Sequence, residues 1–123
     1  MKYLISLIAA MSLSPLLGLA DQYTNGWTQS TFDSGVNGCV ASAVPKQMQF
    51  MYSSGQIKQN ASPSQIASAR QQVTIFETAV CNCAEKQIMQ DVKFDDVSSI
   101  RQKPDYARQV MTSCSNEVLK ARH

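Results

Sequence analysis

Histidine is nearly absent from this chain of 123 residues, which has a single one, His123, at its last position. Ser-His-Asp and Cys-His mechanisms need a general base beside the nucleophile, and histidine usually supplies it. Neither arrangement has a credible base here. Asp95, Asp96 and Glu85 offer carboxylates for acid–base chemistry, but adjacent carboxylates at a helix start are typical of caps. We therefore predict that the protein is not an enzyme.

Runs of like charge are missing as well. The 11 basic and 9 acidic residues are spread along the chain and leave a formal net charge of +2. Proteins that bind nucleic acids or anionic membranes usually concentrate their basic residues. The sequence therefore predicts no nucleic-acid partner, and its thirteen glutamines predict a polar, weakly charged surface.

Clusters of soft metal ligands are not found either. Copper sites in exported proteins use Cys and Met, but Met48, Met51, Met89 and Met111 are scattered, without a close Met-x-Met pair. Each methionine is placed to pack in a helical core. We predict no metal and no other cofactor.

Only one long hydrophobic run occurs, and it lies at the N-terminus. Lys2 precedes an apolar run over residues 3–13, which is followed by the helix-breaking Ser14-Pro15 and by small residues at positions 18 and 20. This order is typical of a secretory signal peptide, and the run is too short for a membrane span of about 20 residues. We predict a signal peptide over residues 1–20, a single domain over 21–123, and a periplasmic or secreted location.

Four cysteines in a small exported chain predict two disulfides. Cys81 and Cys83 lie in a helical segment, where residues i and i+2 point about 200° apart, so they cannot bridge each other or face one neighbour. Two pairings remain open: Cys39–Cys81 with Cys83–Cys114, or Cys39–Cys83 with Cys81–Cys114. In both, a central helix is joined to two flanking helices.

Hydrophobic periodicity predicts an all-α fold, a small disulfide-stapled helical bundle. Its elements are three main helices and one short helix, preceded by a loose N-terminal arm over residues 21–27: main helices near 28–53, 63–92 and 104–121, and a short helix near 95–102. Consecutive helices joined by short connections are expected to run antiparallel.

Local signals fix most of these ends. Thr28 is the predicted N-cap of the first helix, with Trp27 and Phe32 at the two positions of a hydrophobic staple. Pro45 lacks a backbone donor, so the first helix is expected to kink or restart there. The second helix has the strongest start signal of the chain, a capping box with proline at the first helical position: Ser62, Pro63 and Gln65.

The central helix carries two apolar stripes at helical spacing. The stripes lie on different sides of the helix, as expected for one packed between neighbours. One contains Ile66, Ala69, Val73, Phe76, Val80, Cys83 and Gln87, and the other contains Cys81, Ala84, Ile88 and Val92.

The order Trp27, Phe32, Cys39, Cys81-x-Cys83, Cys114, behind a signal peptide, resembles small exported four-cysteine helical proteins of Gram-negative bacteria. Some similar proteins leave the cell by type II secretion and act as host-directed factors. The resemblance implies export and partner binding, and it carries over no catalytic residue.

The segment after Pro45 holds more large apolar side chains than one face of two helical turns can bury: Met48, Phe50, Met51 and Tyr52. Closure of the core over these side chains is the more usual outcome, but side chains of this kind that stay exposed suit partner recognition. We therefore predict a secreted, non-enzymatic binding module with a protein partner, either a host-directed factor or a factor with an envelope partner. Two alternatives stay open, a periplasmic thiol–disulfide exchange factor using Cys81 and Cys83, and a protein that binds lipid head groups.

Overall fold

The computed structural model describes residues 23–122, and within that range it contains helices and no strand. The predicted all-α, disulfide-stapled bundle is confirmed. Three α-helices and one 3-10 helix follow in order: α1, Gln29–Ser53; α2, Pro63–Asp91; the 3-10 helix, Phe94–Gln102; and α3, Pro104–Ala121.

The start of α1 is set by Thr28, as predicted. Its hydroxyl accepts a hydrogen bond from the backbone N–H of Thr31 at 3.2 Å, and the Thr31 hydroxyl accepts one from the N–H of Thr28 at 2.8 Å. This reciprocal capping satisfies two backbone donors that a helix start leaves free. Trp27 and Phe32, the predicted staple residues, lie in one buried cluster.

The start of α2 is the predicted capping box. The Ser62 hydroxyl accepts a hydrogen bond from the N–H of Gln65 at 3.2 Å, and the Gln65 side-chain oxygen accepts one from the N–H of Ser62 at 2.9 Å. Pro63 occupies the first turn, where its missing N–H costs nothing. The helix then runs to Asp91, close to the predicted end.

Pro45 does not interrupt α1, which is one continuous helix. The proline is exposed, while its neighbour Val44 and the next turn's Met48 are buried in one cluster. Packing on both sides of the missing hydrogen bond holds the backbone helical through this position. The predicted restart is therefore wrong, whereas a bend of the helix axis there stays a prediction.

Residues 23–27 are docked against the bundle, so the predicted loose arm over 21–27 is wrong for the part that the structure describes. Asn25, with a φ of 58°, donates from its side chain to the carbonyl of Met89 at 2.8 Å. The indole N–H of Trp27 donates to the carbonyl of Val92 at 2.9 Å. These bonds satisfy carbonyls that the end of α2 would leave without helical partners. The predicted signal peptide, residues 1–20, lies outside the described residues.

The short helix predicted near 95–102 is a 3-10 helix that begins at Phe94. Asp95 and Asp96 lie in its first turn, where negative charge suits the helix dipole, but neither caps it by a side-chain hydrogen bond. α3 then begins at Pro104, as predicted.

Both flanking helices run antiparallel to α2. The start of α1 shares a cluster with Met89, near the end of α2, and the end of α1 shares one with Val73. On the other side, Tyr106 in the first turn of α3 donates to Asp91 at 2.8 Å, while Arg122, just after α3, lies 5.2 Å from the ring centroid of Phe76. α2 is therefore the central helix of the bundle.

The core forms three clusters along α2. The first lies under α1 and residues 23–27, the second under the end of α1 and the following loop, and the third between α2 and α3. Their buried members are Trp27, Phe32, Val36, Cys81 and Met89; Val44, Met48, Ile57 and Val73; and Val80, Ala84, Val110 and Cys114. Of the residues in the two predicted stripes only Gln87 is exposed, but the first stripe does not face one neighbour, because Val73 packs under α1 whereas Val80 packs against α3.

Candidate interaction surface

The four residues of the predicted partner surface differ in their exposure to solvent. Met48 is only 3% exposed, and it packs in the cluster with Ile57, a residue of the loop that follows α1. Met51 is partly buried against the same cluster. Phe50 and Tyr52 remain exposed, at 57% and 42%. Met48 therefore does not belong to a partner surface, because the loop folds back over it.

Phe50 and Tyr52 do not form one patch either. They stand at i and i+2 on α1, so they point about 200° apart around its axis. A single partner face cannot contact both at once. Exposed aromatic groups of this kind, standing singly, are ordinary on protein surfaces.

A contiguous apolar surface lies instead on the first half of α2. A cavity of about 650 Å³ opens on this face, and we call it the α2 groove. Ile75, at its end, is 58% exposed, which is the largest exposure among the big apolar side chains of residues 23–122. The groove is lined by Pro63, Ile66, Ala67, Arg70, Gln71, Thr74 and Ile75.

The groove is open because α1 does not follow a single stripe of α2. Ala67, Thr74 and Cys81 recur at intervals of seven residues and so share one stripe of α2. At Cys81 this stripe is covered by α1, which is bonded to it through Cys39. At the other end, the contacts of α1 have shifted to the neighbouring stripe that contains Val73.

Arg70 is the only charged residue that lines the α2 groove. It is exposed, and it forms no ion pair within residues 23–122, where the single salt bridge joins Arg108 to Asp105. The groove thus combines apolar walls with one uncompensated positive charge.

The four cysteines form two disulfides, Cys39–Cys81 and Cys83–Cys114, so the structure selects the first of the two open pairings. No free thiol occurs in residues 23–122. Cys81 and Cys114 are 0% and 1% exposed. Cys81 and Cys83 therefore do not form one exchangeable pair, and thiolate attack on the sulfur of Cys81 is blocked by packing.

Glu77 and Glu85, two carboxyl groups on α2, are buried in positions that the sequence analysis did not single out as core. Burial raises the pKa of both groups. Their spacing could have revealed them, since they lie four residues before and four residues after Cys81. Residues four positions away from Cys81 lie on the same face of α2, and this is the face that meets α1 through the disulfide to Cys39.

A second cleft, of about 620 Å³, lies where α2, the 3-10 helix and α3 meet. Tyr106 donates to Asp91 there, and burial together with this carboxylate raises the pKa of Tyr106 to about 12. The bond joins the end of α2 to the start of α3. Charged groups of both signs line the cleft, among them Lys93 and Asp96, so it selects no single kind of ligand.

Neither a metal centre nor a membrane span is found among residues 23–122. No group of three or more His, Cys, Asp or Glu side chains is placed to hold a metal ion. None of the helices in this range has the length and apolar character that crossing a membrane requires.

Comparison of the chain with protein-family models, with curated proteins and with solved structures found no match. The resemblance to exported four-cysteine proteins therefore stays a prediction from the sequence. The two disulfides themselves are consistent with an oxidising, extracytoplasmic location.

Proposed function

We propose that this protein is an exported, non-enzymatic binding module that recognises a partner protein, in the bacterial envelope or in a host, through the α2 groove. The observation that carries the proposal is the open, largely apolar face of α2 between Pro63 and Ile75. This face takes the place of the partner surface that was predicted around Met48, because Met48 is buried in the core.

The shape of the α2 groove favours a helical partner segment. The groove follows one helix over about 18 Å, the rise of twelve residues, and so matches about three turns of a second helix. A helix that packs on another at about 8–10 Å would place its apolar face against Ile66, Ala67 and Ile75. This is the helix-in-groove mode of recognition.

The charge of the groove specifies the partner further. Arg70 has no carboxylate partner within residues 23–122. A partner helix that carries Glu or Asp beside its apolar face would complete an ion pair at the edge of the contact, which favours register and selectivity more than affinity. The partner is therefore an amphipathic, acidic helix.

The rigidity of the surroundings supports the same proposal. The first half of α2 packs through Ile66, Ala69 and Val73 against the end of α1 and the loop that follows it. A surface that is already ordered loses little conformational entropy when it binds. The predicted signal peptide, residues 1–20, and the two disulfides support export as the setting for this binding.

The test uses matched amphipathic helical peptides that differ only in carrying Glu or Lys beside the apolar face, with binding measured by fluorescence anisotropy. The wild-type protein should prefer the Glu peptide, and Arg70→Glu should reverse that preference. Ile75→Asp should weaken binding at least about tenfold, the effect of losing the most exposed apolar side chain of the groove. Leu119→Asp, at an exposed apolar site on α3, is the control and should bind normally.

Three outcomes would overturn the proposal. One is equal binding of both peptides by the wild-type protein and by Arg70→Glu. Another is flotation with vesicles of phosphatidylcholine and phosphatidylglycerol that Ile75→Asp abolishes, which would identify the groove as a lipid surface. The third is a dimer in light scattering that Ile75→Asp dissociates, which would make the groove a contact between two copies of the chain.

A further inference from the structure

Two glutamates lie inside the contact between α1 and α2, where carboxylates are uncommon. Glu77 is 8% exposed and Glu85 is 9% exposed. They bracket Cys81, which is bonded to α1 through Cys39, so all three residues share the face of α2 that α1 covers. Charged side chains are rarely buried to this extent unless they are paired.

The position of Glu85 shows how closely the carboxyl group approaches α1. A Cβ atom built on Gly35 would lie 2.7 Å from the carboxyl carbon of Glu85 and would also overlap one of its oxygens. The carboxyl group of Glu85 therefore fits against α1 only because Gly35 has no side chain. Glu85 lies against the backbone of a helix rather than against a cation.

No positive group within residues 23–122 compensates the two glutamates. α1 carries only Asp33 and Lys46, both exposed, and the docked residues 23–27 contribute one titratable group, the partly buried Tyr23. The remaining charged side chains on α2, on the 3-10 helix and in the first turn of α3 are exposed: Arg70, Lys86, Asp91, Asp95, Asp96, Arg101 and Asp105. Arg108, Glu117 and Lys120 further along α3 are exposed too, and so are the cations outside the helices, Lys58, Lys93, Lys103 and Arg122. The one ion pair within residues 23–122 joins Arg108 to Asp105.

We propose that Glu77 and Glu85 make the contact between α1 and α2 responsive to pH, closing it most tightly in acid and loosening it as both carboxyl groups ionise. A neutral carboxyl group tolerates this buried contact better than a carboxylate, which needs more water around it. The Cys39–Cys81 disulfide lies between them and keeps the two helices joined while the contact loosens. The inference does not depend on the proposed function of the α2 groove.

The direction of the effect follows from proton binding. Burial raises the pKa of both groups above the ordinary value of 4.5, so the folded chain holds these protons over a pH range in which the unfolded chain has released them. Their contribution to stability is complete below about pH 4.5, and it is lost as the pH rises through the raised values. These two groups should thus make the folded protein more stable against thermal unfolding in weak acid than at neutral pH.

The experiment measures the Tm of the oxidised protein from pH 4 to pH 8, in the wild type and in Glu77→Gln, Glu85→Gln and the double variant. Gln has the shape of the neutral carboxyl group and does not ionise. The wild-type Tm should fall across this range by at least about 4 °C relative to that of the double variant, a shift readily measured for a domain of this size. Glu117→Gln, which changes the only other glutamate of the chain, should keep the wild-type slope.

Hydrogen exchange gives a second readout of the same proposal. Amides of α1 around Gly35 should exchange faster relative to those of α3 as the pH rises, after correction for intrinsic rates, and the double variant should lose this difference. If the double variant does not fold, NMR titration of the two carboxyl groups in the wild type decides, because ordinary values near 4.5 would contradict the proposal. Equal Tm slopes in the wild type and the double variant would also overturn it.

Discussion

The two halves of α2 have the same secondary structure and very different surroundings. Around Cys81 and Cys83 the helix is bonded to α1 on one side and to α3 on the other, and residues 23–27 close over its end. Around Ala67 and Ile75 it has α1 and a loop on one side, and an open apolar groove on the other. One half of the helix holds the fold together, and the other half presents a surface.

This division shows how a small chain can keep an apolar face exposed without losing its structure. A domain of this size has a limited core, so its stability depends strongly on covalent links. Both links are placed in the second half of α2, which leaves the first half available to a partner.

The largest effect should follow removal of a disulfide. Replacing both Cys39 and Cys81 by Ala, or both Cys83 and Cys114, should cost about 4 kcal/mol in either case, because the bridged residues are 42 and 31 apart and close loops of similar entropy. Urea denaturation monitored by circular dichroism measures the loss. A cost below about 1 kcal/mol for either pair would show that the second half of α2 does not depend on its links.

Truncating a side chain should cost more stability in the packed half of α2 than on its open face. Val80→Ala removes two methyl groups from a residue with 0% exposure in the cluster between α2 and α3, so it should cost about 2 kcal/mol through the cavity that it leaves. Ile75→Ala, five residues earlier and 58% exposed, should change stability by less than about 0.5 kcal/mol. Similar losses for the two variants in thermal unfolding would contradict the open face of α2.

Removing the cap of α2 should loosen the first half alone. Ser62→Ala deletes the hydroxyl that accepts from Gln65, and we expect a loss of about 1 kcal/mol. Hydrogen exchange should rise in the first turns of α2, with protection near Val80 unchanged. If protection fell equally along the helix, its two halves would be a single cooperative unit.

The smallest effect is expected at Gly38, one of two glycines of α1 that can be compared. Gly38→Ala meets nothing within 4 Å, so it should stabilise the protein by about 0.5–1 kcal/mol through helix propensity. Gly35→Ala gains the same propensity, but its methyl group must displace the buried carboxyl group of Glu85. We expect Gly35→Ala to be at least about 1 kcal/mol less stable than Gly38→Ala in urea, because the displaced group must move within a packed contact. Equal stability of the two variants would mean that Glu85 moves aside without cost.

The candidate surface was only partly predictable from the sequence. The surplus of apolar residues after Pro45 correctly indicated that some would be exposed, and Phe50 and Tyr52 are. Met48 is buried by Ile57, a loop residue whose position no helical periodicity specifies. The α2 groove depends on the angle at which α1 crosses α2, and a stripe of residues such as Ala67 and Thr74 does not encode that angle.

The sequence by itself determined the helices of this protein. Thr28, Ser62, Pro63 and Pro104 act on their own turns of backbone, through hydrogen bonds and through the fixed φ of proline, so the helix starts follow from neighbouring residues alone. The same local signals established the order of the elements, and the count of four cysteines predicted two disulfides.

Only the tertiary structure decided which cysteines pair, which methionine is buried and where the two glutamates lie. Cys81 and Cys83 are equivalent in the entropy of loop closure, but Cys81 lies on the face of α2 that meets α1, whereas Cys83 lies on the side that meets α3. The same face places Glu77 and Glu85 beside α1. These outcomes depend on the rotation of each helix about its axis and on the crossing of helices, which are set by packing between residues far apart in the chain.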